Sequence, residues 1–328
     1  MQATRFSVGV DVSKAKLDLA LRLHGKCKNK VISNDPAGFK TLLAWLDEHV
    51  PGGAVAAHVC MEATGSYHEA VALFLCDHAV VVSVVNPFLI KRFGESTLQR
   101  NKTDKIDARV IAHFCEERTP RAPDAFVPPS QGVRLLQALV LRLHTLQAMS
   151  QAEHNRLDVA HDAVKPSIQA VIDNLAEAIS EVQQQIAETI DNDPDLKSRS
   201  DLLLTIPGLG ERTVAQLLAF IGRPERFTSG KALAAYAGLS PAIRESGSSV
   251  KKPGHTTNFG NRFLKRCLYF PALVAGQHNP VISVFWKRLK AQGKPGKVVV
   301  VACMHKLLCM VYAVLRSGRP FDPKLAQA

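Results

Sequence analysis

The chain has 328 residues and is 46% apolar, enough for two or three domains with a sizeable buried core. A net charge of +12, with no run of 18 uncharged apolar residues, points away from a membrane span and towards a polyanionic partner. Seven scattered cysteines (27, 60, 76, 115, 267, 303 and 309) without a C-x-x-C pair, and twelve dispersed histidines, argue against a disulfide framework and against a metal held by thiolate or imidazole; they fit a reducing, cytoplasmic compartment.

In chain order, Met1 to Val10 leads straight into a strand pattern, with none of the layout of a signal peptide. The spacing predicts strands over 5–12, 17–23 and 27–33, then a helix over 36–49 capped by Asp35 and opened by Pro36. A buried strand over 54–60, a helix over 67–77, a strand over 80–85 and a helix over 104–118 follow. That order is the one expected of a ribonuclease-H-like α/β domain, placed at residues 1–131. Phe126-Val-Pro-Pro-Ser130 is a stiff linker. Beyond it, Leu136, Leu139, Leu143 and Leu146, and then Ile168, Ile172, Leu175, Ile179, Val182 and Ile186, alternate in steps of three and four. This is a heptad-like seam, so 132–196 reads as a coiled-coil segment whose two helices pair with each other or with another chain. Residues 197–328 read as a mainly helical domain interrupted by a Gly/Ser-rich stretch from Glu245 to Gly260.

Charge divides along the same boundaries: net +2 over residues 1–131, −6 over 132–196 and +16 over 197–328. A concentrated excess on a folded segment suits a nucleic-acid surface. Within it, Asn261-Arg-Phe-Leu-Lys-Arg266 sets Arg262, Lys265 and Arg266 at helical spacing, suited to phosphate contact without sequence choice. Ile206-Pro-Gly-Leu-Gly210 resembles a helix-hairpin-helix turn, where Gly208 and Gly210 permit close backbone approach and the next helix offers its N–H groups to a phosphate. An unliganded αα turn and a solvated basic face are the plainer readings of these two features. In Glu245-Ser-Gly-Ser-Ser-Val-Lys-Lys-Pro-Gly254, serines lie beside Lys251 and Lys252; composition alone makes this a mobile surface loop, and a serine hydroxyl there is a candidate nucleophile towards phosphorus.

Acidic residues carry the sharper signal. Asp11 sits within an apolar strand, where a carboxylate is costly unless paired. Glu62 ends another strand, and Asp104 and Asp107 are spaced to share one helical face. In the expected topology these four meet at one end of the sheet, where their mutual repulsion is relieved by divalent cations. Oxygen-only ligands favour Mg2+, or Mn2+, over zinc, and two such ions suit a phosphodiester displacement. Singly, each carboxylate is as well explained by solvation or a helix end.

Gly9-Val-Asp-Val-Ser-Lys14, Glu62-Ala-Thr-Gly-Ser-Tyr67, Asn86-Pro87 and Arg100-Asn-Lys-Thr-Asp-Lys-Ile-Asp-Ala-Arg109, followed by Ile206–Gly210, Ala234-Ala-Tyr-Ala-Gly-Leu-Ser-Pro241, Glu245–Ser249 and Gly260-Asn261, resemble in order and spacing the DEDD transposases of insertion-sequence family one-hundred-and-ten. These are recombinases guided by a bridge RNA. The resemblance implies a RuvC-like domain with Asp11, Glu62, Asp104 and Asp107 as its acidic tetrad, a coiled coil, and a transposase domain whose nucleophile corresponds to Ser246 rather than Ser248 or Ser249. It further implies a homo-oligomer, a dimer assembling to a tetramer, in which one chain's acidic site meets another chain's serine. Donor and target DNA and the guide RNA would be partners, with no membrane. Pro253 to Thr257 departs from the serine-lysine-basic pattern more common in relatives. The alternative is a RuvC-type nuclease in which metal-activated water cuts DNA. Actin-like sugar kinases share an acidic first strand but need a second copy of the fold and nucleotide-binding glycines. A non-catalytic nucleic-acid scaffold would be indifferent to loss of Asp11 and Asp104.

Overall fold

Alternation in β1 (Phe6–Val12) sends Val8, Val10 and Val12 to one side of a sheet and Gly9 and Asp11 to the other, and this split organises the first half of the chain. The structure, a computed structural model, describes residues 6–23, 25–63, 65, 67–96, 104–117, 125–242, 245–246, 250–251, 255–256 and 260–324, with side chains left out at 104–106, 241–242, 245–246, 250–251 and 255–256. The chain divides into two compact units, Met1–Pro128 and Pro129–Ala328.

In the first unit β2 (Lys16–Leu23) and β3 (Lys26–Ser33) extend β1 as an antiparallel meander, while β4 (Ala57–Glu62) and β5 (Val81–Val85) add in parallel. The resulting order, β3-β2-β1-β4-β5, is that of a mixed five-stranded sheet and is consistent with the ribonuclease-H-like expectation. Helix α1 (Pro36–His49) begins as anticipated, with Asp35 accepting from the Gly38 N–H and Pro36 in the first turn. With α2 (Glu69–Asp77) it supplies Phe39, Leu42, Leu46, Val71 and Leu75 to a core shared with Val8, Val10, Leu17, Leu19, Val59 and Met61. The fourth strand runs later than the 54–60 predicted, because residues 54–56 form a 3-10 turn, and α2 starts two residues after Tyr67. Helix α3 (Pro87–Ser96) is an addition to the expected elements; Asn86 accepts from the Phe88 N–H ahead of Pro87, an N-cap signature. Helix α4 (Asp104–Glu117) covers the other face of the sheet.

The second unit opens with α5 (Gln131–Leu157) and α6 (Lys165–Asn192). Of the seam residues, Leu136, Leu143, Leu146, Ile172, Leu175 and Ile186 are buried, and within the chain the two helices pair with each other. They share one core with α7 (Pro194–Leu204), α8 (Glu211–Ile221), α9 (Gly230–Tyr236), α10 (Arg262–Cys267), α11 (Tyr269–His278), α12 (Pro280–Ala291) and α13 (Gly296–Ser317). By length and composition α13 is apolar enough to cross a membrane. It instead buries Val299, Cys303, Leu307, Leu308 and Val311 in this core.

Asn279, wholly buried, fastens two parts of the unit. Its Oδ1 accepts from the Val281 and Ile282 N–H groups at 3.0 and 3.2 Å, and its Nδ2 donates to the Pro207 carbonyl at 3.2 Å. Asn279→Ala removes a helix cap and strands a buried carbonyl, a combined cost of about 2–4 kcal/mol. For a unit of this size the thermal midpoint is expected to fall by about 5–15 °C in a calorimetric scan, and an unchanged midpoint would remove Asn279 from this role.

Candidate functional site

Strand register assembles the acidic residues of the first unit. Gly9 pairs with Ala20 and Asp11 with Asp18 across the β1–β2 ladder. On the other side Gly9 pairs with Cys60 and Val10 with Met61, after which Asp11 and Glu62 come next on adjacent parallel strands. Cross-strand partners point to the same face, so Asp11, Asp18 and Glu62 share theirs with Gly9, Ala20 and Cys60.

Helix α4 is pressed onto this face. A Cβ built on Gly9 would lie 2.2 Å from the Ala108 carbonyl oxygen and 2.3 Å from the Ala112 nitrogen, and Ala20, Ala108 and Ala112 form a small buried cluster around it. Further along α4, the Cys115 thiol donates to the His58 carbonyl at 3.5 Å, near the beginning of β4. The helix therefore runs against the direction of β1 and β4. Its first turn, with Asp104 and Asp107, comes to the end of the sheet where Asp11 and Glu62 emerge. Arg22 to Glu116 at 2.6 Å and Arg109 Nε donating to Asn29 Oδ1 at 3.0 Å hold the outer side of the helix to the meander. Asn34 donates to the Ser13 and Tyr67 carbonyls at 2.8 and 3.1 Å, joining the two turns that flank this edge.

Asp11, Glu62 and Asp107 are half-buried at this edge; the Asp104 side chain lies outside the described residues. Asp18, buried and ion-paired to Lys16 at 3.0 Å, is a fifth carboxylate on the face that the sequence reading missed. A tight hairpin at 13–16, closed by Ser13 hydrogen bonds to Lys16, fixes the Asp11–Asp18 pairing. The short gap between the two predicted strands was the available signal. The oxygen donors of Asp11, Glu62 and Asp107 are of the kind that could hold Mg2+ or Mn2+. Among the described residues, however, the trio whose ligand atoms already lie within 4.8 Å of one another is His58, Cys60 and Cys115, contrary to the expectation of no imidazole–thiolate cluster.

In the second unit, Ser246 lies in β7 (Glu245–Ser246), which pairs with β8 (Val250–Lys251). Nearer the base, β6 (Pro241–Ala242) pairs with β9 (His255–Thr256). An interrupted hairpin thus stands where composition suggested a loop, with Ser246 towards its tip; Lys252, Ser248 and Ser249 and the side chains of Ser246 and Lys251 lie outside the described residues. At its base Gly260, at φ 133°, packs so closely that a Cβ would meet the Gly238 nitrogen at 2.3 Å, and the Asn261 N–H donates to the Tyr236 carbonyl at 2.7 Å. The Ala234–Pro241 and Gly260–Asn261 motifs therefore meet as one support. Asn261 caps α10 by accepting from the Phe263 and Leu264 N–H groups, which leaves Arg262 and Arg266 exposed on one face and Lys265 half-buried. Of the turn glycines, Gly208 at φ 103° approaches Ala275 of α11, where a Cβ would be 2.7 Å from that residue's own. Gly210 faces open space at the start of α8.

Two family models match the chain: one described as transposase, of the DEDD IS110 type, over residues 8–166, and one described as transposase of the IS116/IS110/IS902 family over residues 200–287. Pilin gene-inverting proteins of Moraxella bovis and Moraxella lacunata are each 33% identical over 320 residues, covering 97% of this chain and 98% of theirs. A 43.6 kDa protein of insertion element IS110 from Streptomyces coelicolor is 29% identical over 164 residues, half of this chain and 39% of its own length.

Proposed function

The chain belongs to the IS110 family of transposases, DNA-rearranging enzymes, and from that premise we propose that it is an RNA-guided recombinase joining donor and target DNA through a covalent phosphoserine intermediate. The observation that carries the reading is the convergence of Asp11, Glu62 and the first turn of α4, bearing Asp104 and Asp107, at one end of a mixed sheet. These four would hold Mg2+ or Mn2+. When bound, such ions supply charge neutralisation and polarisation of the scissile phosphate.

Ser246 is the proposed nucleophile. Its oxygen forms a bond to phosphorus as the bond to one DNA oxygen breaks, and the proton it gives up ends on that departing oxygen as a free hydroxyl. The hydroxyl of the other duplex then attacks the phosphoserine, restores the phosphodiester and returns the proton to Ser246. Lys251, Lys252, Arg262, Lys265 and Arg266 would grip phosphates, the guide RNA would choose the sites by pairing, and Ser246 of a second copy would serve each acidic site in a tetramer acting on DNA in the cytoplasm.

The direct test is a denaturing gel followed by mass spectrometry of the trapped protein–DNA adduct, in native protein and in Ser246→Ala. The adduct should map to Ser246, and Ser246→Ala should recombine at background level. Full recombination by that variant would exclude Ser246, and cleavage without any adduct would favour the water-dependent nuclease. A second reading, inversion of a DNA segment, is favoured by the end-to-end similarity to the pilin gene-inverting proteins. It uses the same chemistry and is distinguished by a plasmid carrying two sites in opposite orientation, which an inverting enzyme flips without loss of DNA.

A further inference from the structure

Below the acidic edge, the face covered by α4 holds a buried polar cluster. His58 and Cys60 are two apart on β4 and so share this face, Ser83 is the β5 partner of Cys60, and Cys115 descends from α4. Cys60 and Cys115 are wholly buried, His58 is 3% exposed and Ser83 1%. The ligand atoms of His58, Cys60 and Cys115 lie within 4.8 Å of one another, and His58 Nε2 is 2.9 Å from Ser83 Oγ. Apolar side chains would fill this space without the cost of sequestering an imidazole and two thiols from water.

We propose that His58, Cys60 and Cys115 form a binding site for a thiophilic cation, zinc or copper(I), which clamps β4 to α4 beneath the acidic residues. Two soft thiolate sulfurs and one borderline imidazole nitrogen suit zinc or copper(I), unlike the hard oxygen set above them. The hydrogen bond between His58 Nε2 and Ser83 Oγ sets the ring orientation. Each ligating thiol gives its proton to solvent. With Zn2+ the two thiolates leave the site neutral, which suits full burial. With copper(I) three donors suffice, at the cost of one net negative charge.

The test uses the reduced full-length chain under anaerobic conditions, in excess Mg2+ so that the carboxylates are already occupied. Zn2+ and copper(I) are titrated separately against a chromophoric chelator, and Co2+ is added as a spectroscopic probe. One tightly held equivalent of zinc or of copper(I) is expected, together with thiolate-to-cobalt charge-transfer absorption in the native protein. Cys60→Ala and Cys115→Ala should each weaken binding at least about 100-fold, more than loss of a supporting hydrogen bond does, while Cys27→Ala should not change it. The cobalt spectrum needs no variant to fold. Absence of the thiolate band, or equal binding by Cys115→Ala, would each overturn the site.

Discussion

An Asp11→Asn protein is expected to cleave its DNA about a thousandfold more slowly than the native chain while binding that DNA with unchanged affinity. Asparagine keeps the shape of the side chain and removes its charge. Asp11 stands at the end of β1 with Asp18 opposite on β2 and Glu62 beside it on β4. On the proposed mechanism the substitution withdraws one anionic ligand from cations worth several kcal/mol of transition-state stabilisation, and about 4 kcal/mol corresponds to a thousandfold. Binding persists because the basic residues are concentrated in 197–328. Single-turnover cleavage across a Mg2+ titration, alongside a gel-shift assay, separates the two effects. Native cleavage rates would reject the acidic site. Asp18→Asn provides the comparison: its carboxylate is already ion-paired to Lys16, and its loss should cost less than about tenfold.

Gly9→Ala should be nearly as damaging without touching a charge. The added carbon would sit 2.2 Å from the Ala108 oxygen and 2.3 Å from the Ala112 nitrogen, both backbone atoms that cannot rotate aside. Either α4 lifts from the sheet or β1 buckles, at a cost of about 3 kcal/mol or more. The thermal midpoint of the first unit should fall by roughly 10 °C, and cleavage should fall with it even below the melting range, because α4 carries Asp104 and Asp107. Ala112→Gly should not rescue the variant, since the clash is with main chain. Rescue, or native stability and activity in Gly9→Ala, would mean that this close approach does not position the acidic residues.

Local chemistry made much of this legible in advance. Alternating valines and leucines marked β1 and β2, Asp35-Pro36 marked the entry to α1, and the leucine and isoleucine seam marked α5 and α6. The uneven charge was visible by counting. Asp11, Glu62, Asp104 and Asp107 could be singled out because a carboxylate within an apolar strand, one at a strand end and a helical spacing of three are short-range patterns. Where the reading slipped, the cause was also local: Asn86-Pro87 was noted as a motif but not as a cap, and residues 54–56 turn before the strand begins.

Side-by-side register and helix docking are different in kind, because they depend on pairings between distant segments that composition does not encode. Only the folded sheet set Asp18 against Asp11, and only the seating of α4 on Gly9 explained why that position has no side chain. The same docking brought Cys115 of α4, distant in the sequence, onto His58 and Cys60 of β4 in one buried cluster. Sequence by itself determined which residues were chemically costly to keep; the tertiary structure decided which of them became neighbours, since burial and proximity arise only when distant strands and helices exclude water together.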